Sequence, residues 1–217
     1  MRFTSGAAIV LIAIATGLSA CGGAIGPADT VKDVLDAPLR EQVLQPGPLG
    51  EREYGNPNAS VTIVEYASLT CPHCRNYHAN VFPRVKREYI DTGKVRYIIR
   101  EFPIGRTAGT AAIVTRCAPK NKYLPLTEAF LARQREWVSQ EVREDAIYNV
   151  AKSSGMSRAE FDKCLSNQAI IDGLTEVKER GRKYGVIGTP TLFIDGRKRQ
   201  GAVTFEEIKA LIEPQAS

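Results

Sequence analysis

The hydrophobic and polar positions of the chain follow two periods, one typical of strands and one typical of helices. A β-branched, apolar run over residues 61–66 predicts a buried strand, and a similar run over residues 94–100 predicts a second one. Between them, apolar residues recur at close to the helical period over residues 75–90. Pro83 lies inside that helix and should kink it, because proline cannot donate a backbone hydrogen bond. This part of the chain therefore predicts a strand–helix–strand unit.

A run of helical patterns separates this unit from a second group of strands. Candidate helices cover residues 108–117, 124–139, 143–153 and 157–165. A long helix, a strand–turn–strand pattern and a last amphipathic helix follow, over residues 168–184, 191–202 and 205–212. The order predicts an α/β fold whose two parts, residues 59–106 and 168–213, are separated by an inserted all-helical subdomain at residues 107–167.

Residues 1–20 have the pattern of a targeting segment. One charged residue, Arg2, precedes an apolar run over residues 7–18, which is too short to span a bilayer. The segment runs into the sequence LSAC, which resembles a lipobox and predicts lipid attachment at Cys21. Ordinary secretion and an uncleaved anchor are the alternatives. All three alternatives place the following domain outside the cytoplasm. If Cys21 is lipidated, the lipid anchor is expected to be the one contact of the protein with the membrane.

Residues 21–58 are expected to form a tether with one short helix. Asp29 or Thr30 can cap this helix, and Pro38 should interrupt it. The proline- and glycine-rich residues 46–50 are typical of a loop. We expect the tether to lie on the surface as a linker, and an oligomerisation helix is the alternative.

Composition and charge exclude several classes of protein. The chain has 217 residues, of which 43% are hydrophobic, so it can bury the core of one domain. Its formal net charge is +5, and the basic residues are scattered apart from residues 197–199. A scattered, mild positive charge does not predict nucleic-acid binding. The five cysteines divide into Cys21 and two pairs, which fits a compartment where disulfides persist.

Two cysteines, Cys71 and Cys74, lie where the strand at residues 61–66 gives way to the helix. Pro72 suits the first turn of a helix, which places Cys71 at the helix N-terminus. The positive end of a helix stabilises a thiolate, so the pKa of Cys71 should fall below the usual value of about 8.5. His73 can add a nearby donor or cation. The pattern predicts a reactive dithiol; a structural disulfide or half of a zinc site, which would need further ligands, is the alternative.

Two motifs in this order carry a family resemblance. Residues 61–74, which end in Cys-Pro-His-Cys, resemble the active-site region of the DsbA-like thiol–disulfide oxidoreductases. Residues 188–196, with the sequence GTPTLFIDG, resemble the cis-proline segment and hairpin of the same family. The resemblance covers about residues 46–213, is strongest to alphaproteobacterial members, and implies a thioredoxin fold with the helical insertion.

The resemblance also implies roles for individual residues. The Thr189–Pro190 bond would be cis, and its loop would lie against the two cysteines, with the backbone of Thr189 pairing with an extended substrate. Glu65 would be a buried acid that helps proton transfer to and from Cys74. A carboxylate in an apolar strand is costly to bury, so an exposed edge position is the alternative reading of Glu65.

The remaining cysteine pair, Cys117 and Cys164, falls in the helical block. In an oxidising compartment a structural disulfide is favoured over two buried free thiols. It would close a loop of 47 residues, which the chain-entropy model values at about 4 kcal/mol before strain is subtracted. The resemblance agrees, because alphaproteobacterial relatives carry a cysteine pair at similar points.

The sequence thus predicts a periplasmic dithiol oxidase that needs no cofactor beyond the redox-active Cys71–Cys74 disulfide. Its expected substrates are unfolded exported proteins with free thiols, and the resemblance alone implies a quinone-linked membrane partner that reoxidises the pair. Thr189 departs from the valine that oxidases of this family often carry, and is more typical of some isomerases and reductases. A disulfide isomerase or reductase is therefore one alternative, and a metal-delivery module using Cys71, Cys74 and His78 is another.

Overall fold

A five-stranded mixed sheet forms the centre of the fold in the computed structural model, which describes residues 37–214. Its strands are β1 (Arg52–Gly55), β2 (Val61–Ala67), β3 (Val95–Glu101), β4 (Thr191–Ile194) and β5 (Arg197–Gln200). Their order in the sheet is β1-β3-β2-β4-β5. Strands β2 and β3 are parallel, and the other neighbouring pairs are antiparallel. The apolar run that predicts the first strand is therefore a central strand, β2, which is buried along most of its length.

Helices cover the sheet and form the block between β3 and the last two strands. Within residues 37–214 they are α1 (Ala37–Leu44), α2 (Pro72–Asn80), α3 (Phe82–Val85), α4 (Arg106–Cys117), α5 (Lys120–Ala132), α6 (Gln134–Trp137), α7 (Glu144–Ser153), α8 (Arg158–Leu165), α9 (Gln168–Lys183) and α10 (Phe205–Ile212). The expected α/β fold with a helical insertion is confirmed, and the inserted helices are α4 to α8.

The helix predicted over residues 75–90 is divided into three segments. Helix α2 ends at Asn80, α3 starts after Val81, and a π-helical turn follows at Lys86–Ile90. Pro83 lies in the first turn of α3, where a missing N–H costs nothing. The proline thus begins a new helical segment, and the break falls two residues before it because the proline ring restricts the residues that precede it.

In its described part, residues 37–58, the segment expected to be a surface tether packs against the rest of the fold. Pro38 lies within helix α1, whose described part is Ala37–Leu44, and does not end that helix. The side chain of Val43 is buried beneath the sheet, and β1 pairs with β3 as an edge strand. The segment has too few apolar residues to show a period, and its burial comes from contacts with residues far along the chain.

The N-terminal expectations fall outside the part of the chain that the structure describes. These are the targeting segment at residues 1–20, the lipid site Cys21 and the helix start at Asp29 or Thr30. From residue 37 to residue 214, no helix combines the length and the apolar character that crossing a membrane would require.

Alternation along the strands builds two apolar layers, one on each face of the sheet. Ile63 and Tyr97 pack in a layer that includes residues of α2, α3 and α10. Val64 and Ile98 pack in a second layer with residues of α1 and α9. This alternation follows from the two-residue period of a strand.

A third apolar cluster lies in the helical block and includes the region of the two cysteines. Phe130 and Trp137 pack in it together with Leu69 and Cys74, and all four are buried. The helical block is therefore in contact with the start of α2 and helps to shape that site.

One disulfide and one buried ion pair hold the helical block in place. A disulfide joins Cys117 at the end of α4 to Cys164 in α8, with a Cα–Cα distance of 5.9 Å. Arg116 of α4 makes a buried, two-pronged ion pair with Glu101 at the end of β3, with N–O distances of 2.5 and 2.8 Å. Tyr123 donates a further hydrogen bond to Glu101, so α4 and α5 are both tied to the sheet.

Candidate active site

Cys71 and Cys74 lie at the carboxyl end of β2, where the chain turns into α2. Strand β2 ends at Ala67, and Cys71 is the N-cap residue of α2. The backbone N–H of Cys71 donates to the carbonyl of Ser68 at 3.1 Å, which closes the turn. Because β2 is a central strand, the sheet holds this helix N-terminus in a defined place. Pro72 occupies the first turn of α2, as its missing N–H favours.

The two thiols are both free, and their environments differ. Cys71 is partly buried, and a hydrogen bond from Cys74 is the main reason that its pKa falls to about 5, outweighing the opposite effect of its own burial. The backbone N–H groups of Cys74 and His73 lower the pKa of Cys71 further. Cys71 is therefore a thiolate at neutral pH, which is the form that attacks disulfides and leaves from them.

Cys74 has the opposite character. Its side chain is fully buried, and this burial raises its pKa well above the ordinary value, with Cys71 and the charge of Glu65 adding to the effect. Cys74 therefore holds its proton while Cys71 gives its proton up. The site can stabilise one thiolate at the surface and one neutral thiol beneath it.

The loop before β4 lies directly against Cys71. The Thr189–Pro190 peptide bond is cis, and the sulfur of Cys71 lies 3.1 Å from the carbonyl oxygen of Thr189. The hydroxyl of Thr189 is buried and has no hydrogen-bond partner within residues 37–214. A polar group without a partner beside a reactive sulfur is free to contact an incoming sulfur or backbone group.

Glu65 is fully buried on β2, so the exposed edge position considered for it is excluded. The hydroxyl of Tyr97 donates to its Oε2 at 2.8 Å. Nε2 of His78 lies 3.2 and 3.1 Å from its two carboxylate oxygens. The Tyr77 and Tyr97 hydroxyls are also hydrogen-bonded to each other, at 3.1 Å. The carboxylate of Glu65 thus accepts hydrogen bonds from protein donors below the cysteines. It lies close enough to Cys74 to raise the pKa of that thiol.

The structure gives the two histidines, His73 and His78, roles that differ from those the sequence predicts. His73, expected as a nearby donor or cation, has an exposed side chain and acts on Cys71 through its backbone N–H. His78, considered only as a metal ligand, is buried and directs Nε2 at Glu65. Its spacing of four residues from Cys74 places both on one face of α2, which is the sequence signal that could have found it. In the part of the chain described, no three His, Cys, Asp or Glu side chains are grouped as metal ligands.

Gln134 of α6 is a further site residue that the sequence does not single out. Its side-chain amide donates to the carbonyl of Leu69 at 2.8 Å and to that of Cys71 at 3.0 Å. The helical block thereby fixes the turn that carries Cys71. No local pattern could indicate this contact, because Gln134 lies more than sixty residues further along the chain.

Two exposed apolar residues lie on loops near the site. Of residues 37–214, the large apolar side chains that are exposed are Ile104, at 50%, and Ile187, at 85%. The carbonyl of Ile104 accepts a hydrogen bond from the Thr70 hydroxyl, next to Cys71. Ile187 lies two residues before Thr189 in the loop that contacts Cys71. Both isoleucines therefore lie on loops that border the reactive sulfur.

Fold and site together define a class of protein, the thioredoxin-fold proteins that carry a Cys-x-x-Cys dithiol at a helix N-terminus, opposite a cis-proline. Residues 49–214 match the family model described as Thioredoxin. The chain belongs to the thioredoxin family and is one of its DsbA-like members.

Similar proteins agree with this assignment. A Rickettsia conorii protein with the provisional name protein-disulfide oxidoreductase is 35% identical over 146 residues, which cover 65% of this chain and 52% of that protein. The chain thus spans about half the length of the curated relatives it matches first. Alpha-DsbA1 of Wolbachia pipientis is similar in structure, with a TM-score of 0.74 and 29% identity, over 82% of this chain and 95% of that one. A protein-disulfide isomerase of Novosphingobium aromaticivorans gives a TM-score of 0.67 and 26% identity, over 77% and 97%.

Proposed function

We propose that this protein introduces disulfides into exported proteins by exchange with its Cys71–Cys74 disulfide, and that it needs no other cofactor. The observation that carries the proposal is the contrast between the two thiols. The pKa of Cys71 is lowered to about 5, whereas that of the buried Cys74 is raised. A disulfide whose reduction releases a stable thiolate is easily reduced, and is therefore an oxidant for other thiols.

The exchange proceeds in two steps. A substrate thiolate attacks the Cys71 sulfur, the Cys71–Cys74 bond breaks, and Cys74 leaves with the electron pair and takes up a proton. A second substrate thiolate then attacks the substrate sulfur of the mixed disulfide. The substrate leaves with a disulfide, and Cys71 is released as the thiolate that the helix N-terminus and Cys74 stabilise. Two electrons pass from the substrate to the protein in each cycle.

The surroundings of Cys71 suit an extended polypeptide. Thr189, before the cis-proline, offers its backbone carbonyl beside the reactive sulfur. Ile104 and Ile187 offer apolar surface on the neighbouring loops. Unfolded proteins expose apolar side chains and free backbone groups together, so unfolded exported proteins with free thiols are the substrates we propose. A membrane partner that reoxidises the pair completes the cycle. The site of action would be the periplasm, with the protein held by lipid at Cys21, or free if Cys21 is not lipidated.

The test of this proposal is oxidation of a dithiol peptide by the protein beginning at Gly22. We expect the wild-type protein to oxidise the peptide and Cys71→Ser to lose all turnover. The matched control is the double variant Cys117→Ala/Cys164→Ala, which removes the other disulfide and should keep the activity while folded. Undiminished turnover by Cys71→Ser would refute the proposal.

Disulfide isomerisation or reduction by the same site is the second candidate. Two observations favour it: the presence of Thr189 beside Cys71, and the similarity to a protein named as a protein-disulfide isomerase. An isomerase would restore activity to a scrambled disulfide-containing protein faster than it oxidises a reduced dithiol peptide. The ratio of these two rates separates the candidates. Stoichiometric copper or zinc on the reduced protein, without dithiol turnover, would instead favour metal delivery.

A further inference from the structure

We infer that His78 is a positioning residue that holds the Glu65 carboxylate beneath Cys74 and thereby sets the pH range in which Cys74 receives its proton when the disulfide opens. The inference deepens the proposed exchange reaction and rests on it. It is carried by the geometry of a buried cluster made of His78, Glu65, Tyr97, Tyr77 and Cys74.

The first observation is the contact itself. The His78 side chain is 3% exposed and that of Glu65 is 0% exposed. Nε2 of His78 lies within hydrogen-bond distance of both carboxylate oxygens. A carboxylate buried away from water must be compensated by donors or by positive charge. Within residues 37–214, the hydrogen-bond donors to Glu65 are His78 and Tyr97, and neither an arginine nor a lysine joins them.

The second observation identifies the tautomer. Nδ1 of His78 is buried and has no hydrogen-bond partner in the described part of the chain. A proton on Nδ1 would be a buried donor without an acceptor, which is costly. A proton on Nε2 points at Glu65 and is satisfied. The arrangement therefore fits a neutral imidazole that donates from Nε2 to an ionised Glu65.

Among the groups that face His78, Glu65 is the one that supplies a negative charge. From β2 it faces Glu65, and Tyr97 of β3 reaches the same carboxylate. On its own helix the neighbouring groups are Tyr77, whose ring is 5.5 Å from the imidazole, and Cys74. From α3, the ring of Phe82 covers the imidazole at 4.7 Å and brings no charge.

The chemical step follows from this arrangement. In the oxidised protein Cys74 has no proton, and Glu65 carries one as a carboxylic acid. When a substrate thiolate bonds to Cys71, the Cys71–Cys74 bond breaks and Cys74 receives the electron pair. The proton moves from Glu65 to Cys74, which gives the neutral buried thiol and a carboxylate. The N–H of His78 and the O–H of Tyr97 then stabilise that carboxylate. The structure has two free thiols and therefore corresponds to the fully reduced protein, which follows release of the substrate.

The test is the pH profile of the rate at which a monothiol opens the Cys71–Cys74 disulfide in the protein beginning at Gly22. The rate should fall at high pH, where the departing Cys74 sulfur is left without a proton donor. Removing a hydrogen-bond donor favours a protonated carboxyl group over a carboxylate. A hydrogen bond to a charged group corresponds to a shift of about one to two pH units in such a profile. We therefore expect His78→Leu to move the high-pH fall of the rate upward by about one to two pH units. His78→Gln, which keeps a donor, should restore the wild-type position of this fall.

Two further variants make the result decisive. His78→Phe fills the site with an aromatic ring and keeps the test available should leucine disturb the fold. Tyr184→Phe is the matched control, because its hydroxyl bonds to the carbonyl of Gln42 and its ring packs in the apolar layer on the other face of the sheet, so its profile should match the wild type. If the high-pH fall of the rate stays in place in folded His78→Leu or His78→Phe, the inference is wrong. The proposed function is tested separately, by peptide oxidation, and would still stand. Failure of the wild-type protein to oxidise the dithiol peptide would instead refute the proposed function.

Discussion

Two thiols separated by two residues have opposite protonation because one lies at the surface end of a helix and the other beneath it. Cys71 receives hydrogen bonds from Cys74 and from the backbone, which outweigh the effect of its burial. Cys74 is fully buried and faces the charge of Glu65. In the proposed exchange, this asymmetry determines which sulfur the substrate attacks and which sulfur leaves.

The hydrogen bond between the thiols can be removed by Cys74→Ala. Since Cys74 is the largest cause of the lowered pKa of Cys71, we expect the thiolate of this variant to titrate well above pH 5. The ultraviolet absorbance of the thiolate, followed against pH in reduced protein, gives the midpoint. His73→Ala is the control, because its exposed side chain should leave the midpoint near the wild-type value. A midpoint near pH 5 in Cys74→Ala would show that the helix N-terminus alone sets the pKa of Cys71.

Residues that act through local sequence could be predicted, and those that act across the fold could not. Cys71, Cys74 and Pro190 lie in short motifs whose chemistry is visible in the chain. Gln134 reaches the site from the helical block, and His78 is defined by its contact with β2. Both contacts depend on tertiary packing, which no pattern of neighbouring residues records.

At the scale of elements, periodicity predicts the central strands, the helical block and the last helix well. The predicted helix over residues 205–212 has the bounds of α10. Helix α1 and strand β1 were missed, because the short segment that forms them gains its stability from long-range contacts. The predicted helix over residues 124–139 is two helices, α5 and α6, that meet at Arg133. No proline or glycine marks that boundary in the sequence.

The ion pair between Arg116 and Glu101 should be the link that fastens α4 to the sheet. Both side chains are almost fully buried. Removing one partner of a buried pair leaves an uncompensated charge and costs about 3–5 kcal/mol. We expect Arg116→Met to lower the free energy of unfolding by about this amount in denaturant titrations. The double variant Arg116→Met/Glu101→Gln should recover part of the loss, and equal losses in the single and double variants would contradict this explanation.

At the scale of the whole molecule, the redox state of the site is coupled to the stability of the fold. The thiolate of Cys71 has a folded pKa of about 5, whereas an ordinary cysteine has a pKa of about 8.5. A group with a lowered folded pKa adds stability above its unfolded pKa, and the contribution is lost as pH falls through the folded value. The stabilisation belongs to the reduced protein alone, because a disulfide sulfur does not titrate.

We therefore expect the melting temperature of the reduced protein, relative to the oxidised protein, to rise between pH 5 and pH 9. Differential scanning calorimetry of both forms across this range measures the difference. Cys71→Ser, which has no thiolate at this position, is the control, and its melting temperature relative to the oxidised wild-type protein should not rise in this way. A difference that stays constant over the range would show that the fold does not stabilise the thiolate.

The most direct test of the oxidase proposal is the reduction potential of the Cys71–Cys74 pair in glutathione buffers. Stabilisation of the Cys71 thiolate favours the reduced form, so we expect a potential closer to the about −120 mV of a strong oxidant than to the about −270 mV of thioredoxin. That value would support oxidation of substrate thiols as the direction of the reaction. A potential near that of thioredoxin would contradict it, and would assign the same site to disulfide reduction.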